Sequence, residues 1–162
     1  MNKSYYEAEL RIMEILKNPS SNNKLQDIVD LLYRSFNKYN WIGIYLIEND
    51  SLILGPCKGK KATEHIKIPI GQGICGSAAK TGKTELINNV KKDNRYLSCF
   101  VTTKSEIVVP IKRNDIVIGE IDIDSDKKDA FNDRDNELLE TNKQSKYRQE
   151  KISYLKVVGT WA

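Results

Sequence analysis

Between Phe36 and Trp41 the apolar spacing of this chain changes from the period of a helix to that of a strand, and this switch constrains the fold more than any other feature. Upstream, residues 4–17 place Leu10, Ile12, Met13, Ile15 and Leu16 at helical spacing. Ser4 with Glu7 has the form of a capping box, and Asn18-Pro19 stops the run. A second helix is predicted from about Asn23 to Tyr39, carrying Leu25, Ile28, Val29, Leu31, Leu32 and Phe36. Downstream, Trp41–Ile47 is rich in strand formers, Glu48-Asn49-Asp50 is a turn, and Ser51–Leu54 returns as a second strand. Ile66–Ile70 alternates as a third strand, and Ser105–Lys112 with Ile116–Asp124 forms a hairpin across Arg113-Asn114-Asp115. Phe131–Glu140 opens a last helix, with Asn132 or Asp133 as its cap. Helices at the two ends of a run of antiparallel strands predict an α+β fold, a central, mostly antiparallel sheet with N- and C-terminal helices packed on it. Glu140–Lys146 contains no aliphatic residue, so residues 1–140 read as one domain and 141–162 as a tail, helical or partly disordered.

A chain of 162 residues, 40% hydrophobic and 30% charged, buries roughly 70% of its unfolded surface on folding and needs neither disulfides nor a metal to hold a core. It has no apolar run near the ~18 residues of a membrane span, and Met1–Lys17 carries charges throughout, unlike a secretory signal. A cytoplasmic protein without membrane contact is expected. The net charge of +4 is too even a balance for a nucleic-acid binder, and the late excess at Lys143, Lys146, Arg148, Lys151 and Lys156 reads as a solvated helical face.

Two glycine-rich motifs are decoys. Gly71 to Gly76 matches G-x-G-x-x-G, but no first strand near the N-terminus and no alternating βαβ series accompany it, as a dinucleotide site requires. Lys80-Thr-Gly-Lys-Thr84 ends like a P-loop, yet the first glycine that motif needs is Ser77 here. What remains is a tight strand-to-helix turn with Cys75 at the helix start, where backbone amides and the helix dipole favour a thiolate.

Cysteines are three in number, Cys57, Cys75 and Cys99, too few and too spread for a secreted disulfide scaffold. No CxxC occurs, and Cys57, His65, Cys75 and Cys99 fit no compact zinc motif, so no metal is expected. Cys99 lies in a loop-like stretch ahead of the hairpin. The hairpin itself carries acids that a plain strand does not need: Glu106 begins one strand, and Asp122 and Asp124 share a face of the other. With Ile121 and Ile123 on the core, those two acids face either water or a pocket. In a pocket they form a carboxylate cluster with raised pKa values.

Six segments in order, Trp41-Ile-Gly-Ile-Tyr45, Leu54-Gly-Pro56, Ile68-Pro-Ile-Gly-Gln-Gly-Ile-Cys-Gly76, Leu97-Ser-Cys99, Ser105-Glu-Ile-Val-Val-Pro110 and Ile118-Gly-Glu-Ile-Asp-Ile-Asp-Ser125, resemble the free methionine-(R)-sulfoxide reductases. These are enzymes built on a single GAF domain, and the resemblance covers about residues 24–140. It implies a GAF-like fold and thiol-dependent reduction of free methionine-(R)-sulfoxide through a cysteine sulfenic acid and an intramolecular disulfide. By position Cys99 matches the catalytic cysteine and Cys75 the resolving one. Trp41 and Tyr45 match the aromatics that hold the substrate methyl group, and Glu106, Asp122 and Asp124 match the pocket carboxylates. The resemblance further implies no cofactor, an external reductant such as thioredoxin or dithiothreitol, and a homodimer. Two positions depart from the family pattern: His65 stands where a third cysteine is common, and Phe100 follows Cys99 where an acid is common. The competing expectation is a non-catalytic GAF module that senses a small ligand.

Overall fold

The computed structural model describes residues 5–140. In chain order it has α1 (Tyr5–Lys17), α2 (Lys24–Ser35), β1 (Trp41–Glu48), β2 (Ser51–Gly59), β3 (Lys67–Pro69), α3 (Gly73–Thr81), β4 (Glu85–Ile87), a 3-10 turn at Val90–Lys92, β5 (Ser105–Arg113), β6 (Ile116–Ser125) and α4 (Asp133–Leu139). The strands form one sheet in the order β3-β2-β1-β6-β5-β4, with every pairing antiparallel. The α+β architecture expected from the sequence is the one found. The expected cap at Ser4 and the tail 141–162 lie outside the described residues.

Three boundaries differ from expectation, each for a local reason. Helix α2 stops at Ser35 rather than continuing to Tyr39, because Phe36 is extended (φ −127°, ψ 108°) and buries its ring against Tyr5 and Tyr39 instead of extending the helical face. Strand β2 runs past Leu54 to Gly59, because a register shift between Gly43 and Tyr45 absorbs Gly55-Pro56, which read in sequence as a breaker. Strand β4 is three residues long, too short for a periodicity to mark it. The β5–β6 hairpin turns at Asn114 and Asp115, both at positive φ (50° and 66°), as a two-residue loop matched to strand twist requires. Asn132, not Asp133, caps α4, in a reciprocal box with Asp135.

Alternation along the strands sends two different cores to the two faces. Ile42, Ile44, Ile107, Val109, Ile111, Ile121 and Ile123 meet Leu25, Ile28, Val29 and Leu32 of α2 on one face, where each buried aliphatic contributes about 1.5–3 kcal/mol. Next to this layer Asp135 is fully buried, yet it accepts from Lys38 Nζ at 2.7 Å, Tyr39 Oη at 2.6 Å, Tyr5 Oη at 3.1 Å and its own cap residue's amide at 2.8 Å. On the opposite face Ile74, Ala78 and Ala79 of α3 pack over Tyr45, Leu52, Ile68 and Val108. The acids of β6 point to this second face, so they meet neither water nor the main core.

Candidate active site

Three rows of directly paired residues cross the sheet beneath α3. The first runs Gly59, Trp41, Asp124, Glu106, Ile87; the second runs Cys57, Gly43, Asp122, Val108, Glu85; the third runs Leu54, Tyr45, Glu120, Pro110. Directly paired residues share a face and stand about 5 Å apart, so the register gathers Glu106, Glu120, Asp122, Asp124 and two aromatics into one patch, with Glu85 at its edge. A Cβ at Gly43 would overlap the Trp41 ring, so the strand needs glycine there for the indole to lie flat across it. The Trp41 ring centroid is 6.5 Å from Tyr45 and 5.8 Å from Phe100.

Cys75 lies in the first turn of α3, which Gln72 caps with extended backbone. Its Sγ donates to Asp122 Oδ2 at 3.4 Å and to Glu106 Oε1 at 3.8 Å. Cys99 arrives on the long connection between the 3-10 turn and β5, and several contacts fix that connection. Gly73, at φ +67°, lies so close to Leu97 that a Cβ would sit 2.7 Å from Leu97 Cδ1. The segment carrying Cys99 is thereby laid against the helix start carrying Cys75. Arg95 forks onto Glu85 at 2.7 and 3.0 Å, reaches Asp93 at 2.7 Å and donates to Ser77 Oγ on α3 at 2.9 Å. These hydrogen bonds hold the carboxyls of Glu85 and Asp93 below their ordinary range. From the other side, His65 Nε2 lies 3.3 Å from Ser98 O, and Tyr45 Oη donates to His65 O at 2.8 Å.

Burial dominates the electrostatics. Glu120 and Asp122 are 0% exposed, Asp124 2% and Glu106 4%, with no lysine or arginine hydrogen-bonded to any of them among the described residues. Both oxygens of Glu120 and of Asp124, with Glu106 Oε2 and Asp122 Oδ1, have no hydrogen-bond partner. Desolvation followed by repulsion from Asp122 pushes Glu106, Glu120 and Asp124 well above the carboxylate range. Asp122 itself is pushed up to about 7, chiefly by burial. Cys75 and Cys99 are free thiols. Both are pushed up by burial and then by Asp122, with only a hydrogen bond from Thr63 pulling Cys99 back. The sequence expectation that the helix start favours a Cys75 thiolate is therefore corrected: loss of water and three neighbouring acids, Asp122, Glu120 and Glu106, outweigh one turn of helix dipole. At neutral pH the two thiols and Glu106, Glu120 and Asp124 hold their protons, while Asp122 titrates close to neutrality.

The GAF domain model matches residues 22–141. Over 109 residues the chain is 38% identical to the free methionine-R-sulfoxide reductase of Escherichia coli, the match covering 67% of this chain and 65% of that enzyme. The structure of type II free methionine-R-sulfoxide reductase from Thermoplasma acidophilum is 33% identical, covers 92% of this chain and 96% of its own, and superposes with a TM-score of 0.75. The chain belongs to the free methionine-R-sulfoxide reductase family of GAF-domain proteins. The family's structure from Neisseria meningitidis, in complex with its substrate, is 25% identical, covers 98% of this chain and 92% of its own, and has a TM-score of 0.82. The chain thus spans just under two thirds of the E. coli relative and nearly all of both solved structures.

Within this family fold, all seven residues singled out in the sequence, Cys99, Cys75, Trp41, Tyr45, Glu106, Asp122 and Asp124, converge on the face beneath α3. Sequence reasoning missed Glu120, although its alternation with Asp122 and Asp124 already placed it on their face. It also missed Thr63 and Arg95, whose roles depend on loops meeting in space. Among the described residues Cys75, Glu106 and Asp122 offer ligand atoms within 4.8 Å of one another, the one group with metal-like spacing, and Cys57, His65 and Cys99 are not in it. Holding a cation there would require the thiol and both carboxyls to give up their protons.

Proposed function

We propose that this chain reduces free methionine-(R)-sulfoxide to methionine. The observation that carries the reading is the set of four buried carboxyls, without a bonded cation among the described residues, set against two thiols beside an aromatic wall. Cys99 Sγ attacks the sulfoxide sulfur while a neutral acid of the Glu106, Asp122, Asp124 group protonates the sulfoxide oxygen. The S–O bond breaks, the oxygen passes to Cys99 as its sulfenic acid, and methionine leaves. Cys75 then attacks the sulfenic sulfur, water departs, and a Cys75–Cys99 disulfide forms. A thioredoxin-like dithiol in the cytosol, or dithiothreitol in the test tube, returns both cysteines to thiols by exchange. The cycle uses no metal or organic cofactor.

Trp41 and Tyr45 take the substrate methyl group, and an acid that ionises pairs with the substrate ammonium. That cation also answers the high thiol pKa, because a positive charge among the acids relieves the repulsion that holds Cys99 neutral. The test is direct. With dithiothreitol and the separate R and S epimers of free methionine sulfoxide, methionine should form from the R epimer alone. Cys99→Ser should produce none. An absence of product from both epimers, with thiols shown to be free, would make the chain a GAF ligand-binding module instead.

A further inference from the structure

Beside Phe100, the residue after Cys99, lies a cavity of about 170 Å³ lined by Trp41, Phe100 and the buried Asp124, with the exposed Lys60, Lys61 and Asp126 completing its wall. We propose that Lys60 and Lys61 form the subsite for the substrate's α-carboxylate, so that the cavity recognises a free amino acid by both of its charges. This assignment rests on the reductase reading above.

An arriving ammonium would ionise Asp124, so the cavity is divided in the sense a zwitterion requires. Its buried end holds Asp124, whose two oxygens have no partner, and its exposed end holds two cations. Neither lysine is in an ion pair among the described residues, whereas Lys58, two residues earlier, lies 3.7 Å from Asp30. The exposed carboxylate of Asp126 in the same wall repels an anion and directs it toward the lysines. The lysines also stand on a segment fastened to the reacting centre. It includes Thr63, whose Oγ1 accepts from His65 N at 3.1 Å, and His65, whose ring meets the carbonyl of Ser98 beside Cys99. In a peptide the carboxylate is a neutral amide, which forfeits the charge-assisted hydrogen bonds that two ammonium groups give.

The experiment compares wild type with the double variant Lys60→Ala/Lys61→Ala on L-methionine-(R)-sulfoxide and on its carboxamide, which keeps the sulfoxide and the ammonium but loses the anion. For the free acid, KM should rise about tenfold in the variant with kcat within about twofold, as expected for charge-assisted bonds made equally in the ground and transition states. For the carboxamide, KM should be the same in both proteins. Lys60→Arg/Lys61→Arg should restore the lower KM. Calorimetric binding of the same two ligands to Cys99→Ser, with and without the lysines, reads the subsite without chemistry. Equal affinity for the free acid in both backgrounds, or equal losses for acid and carboxamide, would overturn the assignment. Lysine-dependent binding in a protein that yields no methionine would leave the subsite standing and remove the reductase reading. Turnover indifferent to the lysines would do the reverse.

Discussion

The sheet buries carboxyl groups on both of its faces, and it treats them in opposite ways. On the helix-covered face Asp135 meets a lysine, two phenols and a backbone amide. On the α3 face Glu106, Glu120, Asp122 and Asp124 lie together with six oxygens unbonded and, among the described residues, no cation bonded to them. The first arrangement joins α1, the loop after α2 and α4, and it is complete as it stands. The second opposes Glu106 to Asp124 across neighbouring strands, which is unfavourable whenever both are ionised. A buried acid with its partners supplied is part of the framework; a buried acid without them is poised for something that arrives from outside.

Substitutions should separate the two faces sharply. Asp122→Asn/Asp124→Asn removes two of the three acids that can donate the proton or pair with the ammonium, and kcat/KM should fall by about 10³ to 10⁴, measured as methionine formed, while thermal stability holds or rises. An equal loss of stability would mean that these acids are framework like Asp135. Asp135→Ala strands Lys38 and the phenols and should cost about 3 kcal/mol in denaturant unfolding, with kcat/KM of the folded fraction little changed. A large fall in kcat/KM there would erase the distinction.

The pH dependence tests the same contrast more gently. Asp122 holds its proton more tightly in the folded chain than in the unfolded one, where its pKa is about 3.9. Its contribution to stability is therefore complete below that value and is lost as pH rises through about 7. Glu106, Glu120 and Asp124 shift in the same direction and extend the loss upward. The unfolding temperature should drop by about 5 °C between pH 5 and 8, and less steeply in Asp122→Asn. The smallest effect belongs to Arg95→Met, whose partly exposed fork is worth about 1 kcal/mol or less. Amide exchange should quicken across residues 95–103 while the sheet stays protected.

The sequence made one face of the sheet readable and left the other ambiguous. Alternation placed Asp122 and Asp124 together and opposite Ile121 and Ile123, because a period of two admits no other arrangement. The same alternation is silent on what covers a face, and here both faces are buried. Cys75 shows the limit of local argument: a helix start is visible in the sequence, whereas the acids around it come from strands far along the chain. Arg95 and Thr63 were illegible for a related reason, since each acts across a gap between loops that no spacing rule spans. Strand β2 was cut short at Gly55-Pro56 because local propensity cannot show that a neighbouring strand will accommodate a bulge.

The Arg95 fork has a kinetic consequence for the proposed cycle. It fastens the segment bearing Cys99 to Ser77 of α3, the helix bearing Cys75, and to Glu85 of β4. Two thiols joined by a flexible chain would meet at an effective concentration of about a millimolar, no better than small thiols free in solution. Held on elements that are locked together, the second thiol is presented to the first far above that level. The oxidised cysteine would then be captured from within before a passing thiol or a second oxidant reached it.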